Sequence, residues 1–226
     1  MSVRRIPGGQ PNFPSRVELY RRSQTIGQDP RGAWNRYRRS AAARPVVDWL
    51  SQRSGSRRRC MYCSDSHGGD IEHFVPISVS IPGTFDWRNF LWICTNCNRK
   101  KSNRFPVDEA GNPLLLHPAV DDPWQHFILD DRTGVIAARY LPDKTLDRRA
   151  STTLDIVEAL NWEPPQEARH RVARRLSEVF ELVLAEGDNS ETRRRVLREV
   201  HEDDVGVAPW FAMRVIKNPI RRSRGR

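Results

Sequence analysis

Between residues 167 and 185 the apolar side chains Val172, Leu176, Val179, Val183 and Leu184 recur at intervals of 4, 3, 4 and 1 residues. That is the stripe of an amphipathic helix, with Arg169, Arg171, Arg174 and Arg175 on its solvated faces. A second helical pattern runs over 29–50 through Trp34, Tyr37, Ala41, Val46, Val47 and Leu50. Asp29 is its N-cap, Pro30 its first position, and Pro45 is expected to break it in two. Helices are also expected over 146–160, 190–202 and 209–217. Two short β-rich runs stand apart from these, 71–77 and 90–93, and they predict a hairpin followed by a polar helix over 95–102. Further on, an apolar run ending at Asp130, a D-D-R-T-G turn and a second run predict another hairpin. Residues 1–15, with three prolines and two adjacent glycines, predict an extended leader. No internal repeat is present.

These elements predict an α+β chain, a ββα unit set in a mainly helical surround with a small extra hairpin. The 226 residues suit one domain with appendages rather than two large units. We divide them into a basic leader and helical segment (1–59), a ββα core (60–105), a hairpin and helical extension (106–213) and a basic tail (214–226). No apolar run reaches the roughly 20 residues of a membrane helix, and the N-terminus lacks the apolar centre of a signal peptide. A cytoplasmic protein is expected.

Charge changes the picture at both ends. Residues 1–60 carry fourteen Arg against three acidic residues, and 214–226 carry six basic residues and no acidic one. The body between them has eighteen basic and twenty-five acidic residues. Cationic arms on a mildly acidic body suit a polyanion such as nucleic acid. The loop 52–59, with Arg57, Arg58 and Arg59, and the cluster Arg99, Lys100 and Lys101 are candidate phosphate contacts, against the plainer reading of solvated surface.

The chemistry concentrates between Cys60 and Lys101. Cys60 and Cys63 form one C-x2-C pair, Cys94 and Cys97 another, with thirty residues between the pairs. In a reducing compartment that spacing points to a four-thiolate structural zinc, with free or redox-active thiols as the alternative. Inside the frame lie Glu72 and His73, and Asn98 directly follows the last cysteine. Hydrolysis of a phosphodiester needs a base for water and a cation to offset phosphate charge. A neutral histidine with a carboxylate and an amide oxygen supplies both functions. On a regular strand Glu72 and His73 point to opposite faces, so a shared site requires a strand end or bulge there. His67 reads as a surface loop residue, His117 and His126 as packing or capping groups, and Asp121-Asp122 as a turn. Trp124, Phe127, Trp162, Trp210 and Phe211 are either interface anchors or core.

The frame C-x2-C, I-E-H-F-V-P, W-R-N-F-L-W-I-C-T-N-C-N resembles the HNH (ββα-metal) endonucleases with a four-Cys zinc site. The resemblance implies that His73 is the general base and that Glu72 and Asn98 hold a catalytic metal. Asn89, sixteen residues after His73, would fix the loop that orients it. Asn98 stands where the motif usually has a third His, which favours Mg²⁺ or Mn²⁺ over a second zinc. The outer segments L-L-H-P-A-V-D-D-P, D-x-x-T-G-V-I and T-L-D-I-V-E-A-L-N look similar to the HNH nuclease subunit of Septu-type and retron-associated anti-phage systems. That similarity spans about residues 60–185 and implies an ABC-like ATPase partner and a defence role. The activity expected is endonucleolytic, with DNA favoured over RNA. The alternatives are a non-catalytic zinc module and an RNase-type toxin.

Overall fold

The computed structural model describes residues 6, 9–55, 57–65, 68–187 and 189–217. Most of the basic tail, all residues before Ile6, and His67 lie outside them. The N-terminal segment is not an extended leader throughout. Helix α1 (Phe13–Gln24) starts there, with the Asn12 side chain capping Ser15 N and a proline in its first turn. It buries Leu19, while Ile6 is buried as well and donates its N–H to Pro118 O. The proline-rich composition concealed a helix start, because proline in a first turn sacrifices only an N–H that would be orphaned anyway.

Helix α2 (Pro30–Arg38) is capped by Asp29, whose carboxylate accepts Gly32 N at 2.8 Å. The break before α3 (Arg44–Arg53) comes at Arg39–Ser40 and a 3-10 turn over Ala41–Ala43, so Pro45 opens the third helix rather than ending the second. Strand β1 (Asp70–His73) pairs antiparallel with β2 (Phe90–Ile93), His73 opposite Phe90 and Asp70 opposite Ile93. The first strand is shorter than the 71–77 run and stops before Val75-Pro76. Proline bars a ladder bond and restricts the residue ahead of it. All four residues of β2 are buried, which accounts for its unbroken F-L-W-I sequence. Helix α4 (Thr95–Lys101) leaves β2 directly and packs on β1, completing a ββα unit.

The remainder wraps this unit. A short helix α5 (Pro123–His126) leads into β3 (Phe127–Leu129), which pairs antiparallel with β4 (Ile136–Ala138). In the turn between them Asp130 O accepts Gly134 N at 2.7 Å. Gly134 has φ +75°, and a Cβ there would stand 1.9 Å from Gln166 O, so both conformation and space require glycine. Helix α6 (Arg148–Ile156) is followed by a 3-10 turn (Glu158–Asn161), where one helix over 146–160 was expected. Helix α7 (Glu163–Glu186) begins earlier than 167 because prolines occupy its first turn. Helix α8 (Ser190–Glu202) opens with a reciprocal capping box between Asn189 and Thr192. Before α9 (Ala208–Lys217) the Asp203 carboxylate accepts the N–H groups of Val205, Gly206 and Ala208.

The fold is α+β, with one apolar cluster running from Ile6 through both hairpins to Ala208. Arg169 departs from the solvated-face reading: it is 1 % exposed. Its guanidinium donates to Gly134 O at 2.6 Å, Leu160 O at 2.7 Å and Asn161 Oδ1 at 3.2 Å, fastening α7 to the second hairpin. Burial lowers its pKa to about 10. Of the proposed interface anchors, Trp124 and Phe127 are core, Trp210 and Phe211 pack on it, and Trp162 is exposed. Among the described residues no helix is long and apolar enough to cross a membrane.

Candidate active site and zinc centre

The four cysteine sulfurs lie within 4.8 Å of one another, all buried and none in a disulfide. Four sulfurs at about 2.3 Å from a tetrahedral zinc stand roughly 3.8 Å apart; Cys63 and Cys94 Sγ are separated by 3.8 Å. Local structure brings them there. Met61 N donates to Trp92 O, hanging the first knuckle on β2, and Cys94 is the N-cap of α4 with Cys97 in its first turn. Backbone N–H groups aim at sulfur, Tyr62 N at Cys60 Sγ and Cys97 N at Cys94 Sγ. Burial pushes the Cys60 thiol up, while hydrogen bonds with its sulfur neighbours, Cys60 first, hold Cys94 far below the usual thiol range. Four sulfurs converging in a dry pocket are what a soft dication binds, so the donor set fits zinc.

Beside β1 a cleft of about 210 Å³ opens, lined by residues of α2 and α4. Glu72, His73 and Asn98 all line it, joined by Asp70, Arg31 and Arg38. Strand alternation turns Ile71 and His73 inward and leaves Asp70 and Glu72 half-buried. His73 is the last residue of the strand, and there both it and Glu72 reach the cleft. The His73 ring meets Trp34 edge-on at 4.5 Å and Phe90 at 5.4 Å. Its Nε2 lies 2.9 Å from Thr84 O. A carbonyl oxygen only accepts, so Nε2 carries the hydrogen and Nδ1 keeps a lone pair. Burial first, with the nearby Lys101 charge, lowers the His73 pKa to about 4 against the Thr84 hydrogen bond, so the ring is neutral at pH 7.

Asn89 stands outside the cleft and stitches its rim. Its Oδ1 accepts Val75 N at 2.7 Å, and its Nδ2 donates to Val75 O at 2.9 Å and Gly83 O at 3.0 Å. These bonds hold the loop whose Thr84 carbonyl fixes His73. Asn89→Ala is expected to cost about 1–3 kcal/mol for the loss of these buried partners, and to slow any reaction that depends on His73 orientation. A thermal melt beside a rate measurement checks this, and unchanged values for both would separate the loop from the site.

Two residues depart from the sequence reading. Lys101 is fully buried, its Nζ 3.2 Å from Glu72 Oε1, and is not a surface phosphate contact. Burial lowers the lysine pKa and raises that of Glu72, each shift opposed by the partner charge. Arg59 donates to Asp204 Oδ2 at 2.8 Å and to the carbonyls of Ser64 and Asp65, which makes it a staple of the first zinc knuckle. Lys100 stays at the surface, in an exposed pair with Glu158 at 2.7 Å. Arg57 is mostly exposed although it also reaches Asp204, and Arg58 and Arg99 are exposed. The other histidines do structural work: His117 Nδ1 accepts Ala119 N, and His126 Nδ1 meets Asp147 at 2.7 Å. Asp121 pairs with Arg149 at 2.7 Å, and Asp122 caps α5.

Asp70 escaped the sequence reading. Asn98 Nδ2 lies 3.4 Å from its Oδ2, and Arg38 Nη1 lies 3.1 and 3.0 Å from its two oxygens. The signal was present in D-I-E-H, since alternation puts Asp70 on the face that carries Glu72. Arg31 and Arg38 come from α2, outside any motif.

Residues 60–104 match the family model of the HNH endonucleases. The chain is 28% identical to the Septu protein PtuB of Bacillus thuringiensis over 124 residues, covering 52% of the chain and 43% of that protein. It is 26% identical to the Septu protein PtuA of Bacillus mycoides (strain KBAB4) over 178 residues, covering 66% of the chain and 24% of that protein. The matches thus span less than half the length of either relative. The stretch that matches the HNH endonuclease model thus holds the four-cysteine cluster, within a chain similar to Septu proteins.

Proposed function

We propose that the chain is a metal-dependent endonuclease hydrolysing phosphodiester bonds of nucleic acid, DNA before RNA, as the effector of an anti-phage defence system. The observation that carries this reading is the cleft where a neutral imidazole stands beside oxygen ligands from residues 70, 72 and 98. In it His73 Nδ1 takes a proton from water while Nε2–H stays on Thr84 O, which keeps the ring from turning. Glu72 and Asn98, with Asp70 beside them, form a hard-oxygen set fit to hold Mg²⁺ or Mn²⁺. When bound, such an ion offsets the negative charge that grows on the phosphate. Arg31 adds positive charge at the cleft wall. Similarity to Septu proteins supports a defence role beside a partner chain, for which an ABC-like ATPase is the expected class.

One observation favours a non-catalytic zinc module instead: the Lys101 ammonium already sits on Glu72, where a divalent cation would compete with it. Purified zinc-loaded protein, incubated with supercoiled plasmid and with total RNA with or without added Mg²⁺, decides between the two. Nicking that requires Mg²⁺ is the expected result. No cleavage of either substrate, alone or with a co-purified partner, supports the inert module, and cleavage of RNA alone supports the toxin.

A further inference from the structure

The widest cavity among those described, about 620 Å³, lies away from the catalytic cleft, where the loop before Cys60 meets α7 and the end of α8. Arg57, Arg59, Arg171, Arg174, Arg175 and His201 line it. These residues come from segments more than a hundred positions apart, so the clustering is a product of the fold. Acidic residues line it too, Glu202, Asp203 and Asp204, but two of the three already hold hydrogen bonds or ion pairs. Asp203 accepts the backbone N–H groups ahead of α9, and Asp204 Oδ2 receives both Arg57 at 2.9 Å and Arg59 at 2.8 Å. Arg175 is held by Glu199 at 3.0 Å.

What faces solvent is cationic. Arg57 and Arg174 are each 65% exposed, and the pair of Arg174 with Glu178, at 3.6 Å, is a loose surface contact. Arg171 is exposed on the same helix, one position before the buried Val172. A guanidinium presents a planar fork that matches phosphate oxygens. Three such forks around a concave floor, with Glu202 as the remaining exposed acid, fit successive phosphates of a strand.

We infer that this cleft is a second, non-catalytic binding site for the phosphate backbone of a nucleic acid, with Arg57, Arg171 and Arg174 as its contacts. The inference takes its ligand class from the proposed nuclease activity and adds a place where substrate is held apart from the reacting bond.

The test is fluorescence anisotropy on a short DNA duplex across a salt series, with the full zinc-loaded chain and no added Mg²⁺ or Mn²⁺. Arg171→Ala/Arg174→Ala is compared with Arg194→Ala/Arg198→Ala, an equal loss of charge from exposed positions of α8 outside the cleft. Each phosphate contact contributes about 0.9 to the slope of log K against log salt. The cleft variant is expected to flatten that slope by about 1.8, with the control unchanged. Equal slopes in the two variants overturn the inference. So does a loss confined to a fluorescent ATP analogue, which would make the cleft a nucleotide site. Because binding is read without the catalytic ion, a chain that binds here and never cuts retires the nuclease reading alone. A chain that cuts with an unaltered slope retires the cleft alone.

Discussion

Cys94→Ser is expected to lose zinc and fold together. Structural zinc in small thiolate sites contributes apparent binding free energies of about 10–16 kcal/mol, as large as the whole stability of an ordinary domain, about 5–15 kcal/mol. Here the metal's donors are also architecture. Cys94 ends β2 and caps α4, and Cys97 lies in that helix's first turn, so the helix that presents Asn98 and Lys101 depends on the same sulfurs. A hydroxyl keeps the cap but not the thiolate. Elemental analysis of freshly reduced protein should find one zinc per wild-type chain and little in the variant, with loss of helical circular dichroism. A well-folded variant free of zinc would make the cluster dispensable, and a zinc-free wild type would return the cysteines to ordinary thiols.

His73→Gln is expected to abolish cleavage without unfolding the protein. Loss of a general base costs about 10²–10⁴ in rate. The choice of variant matters, because His73 is 4% exposed and wedged between Trp34 and Phe90. Truncation to alanine would open a cavity against two aromatic rings and confuse packing with chemistry. Glutamine fills most of the volume and can still donate to Thr84 O. Single-turnover cleavage with saturating Mg²⁺, run beside a thermal melt, separates the effects. A stable variant cutting at a near-normal rate would move the base to another residue.

The ββα unit was legible because its signals are local and chemical. Paired cysteines at short spacing, an acid-histidine step and an unbroken apolar strand each narrow the choices, and they agree. Helix α1 was not legible: its proline-rich start suggested extended chain, and its burial rests on few residues such as Leu19. The break near Pro45 was anticipated, but proline was assigned the role of terminator where it serves as starter. The arginines and lysines were the hardest to read. Lys101, Arg59 and Arg169 all look like surface in one dimension. Each is withdrawn by a partner distant in sequence, Glu72, Asp204 and the carbonyls of Gly134 and Leu160 respectively. Long-range pairing of that kind leaves no trace in periodicity. Asp70 went unread for a related reason, since its partners Arg38 and Asn98 lie on two helices.

The carboxylate that steadies the first zinc knuckle lies 145 residues downstream of Arg59. On a ribosome the cysteines therefore emerge long before the group that completes their surroundings, and Trp124 waits 82 residues for the Gly206 carbonyl that takes its indole N–H. Closing such long loops adds little entropic cost beyond that of shorter ones, but it fixes an order in time. Residues 204 and 206 complete contacts that Arg59 and Trp124 begin much earlier in the chain. Copies ended before Asp204 are expected to lack the carboxylate that Arg59 reaches and the carbonyl that takes the Trp124 N–H, and to be removed as misfolded material.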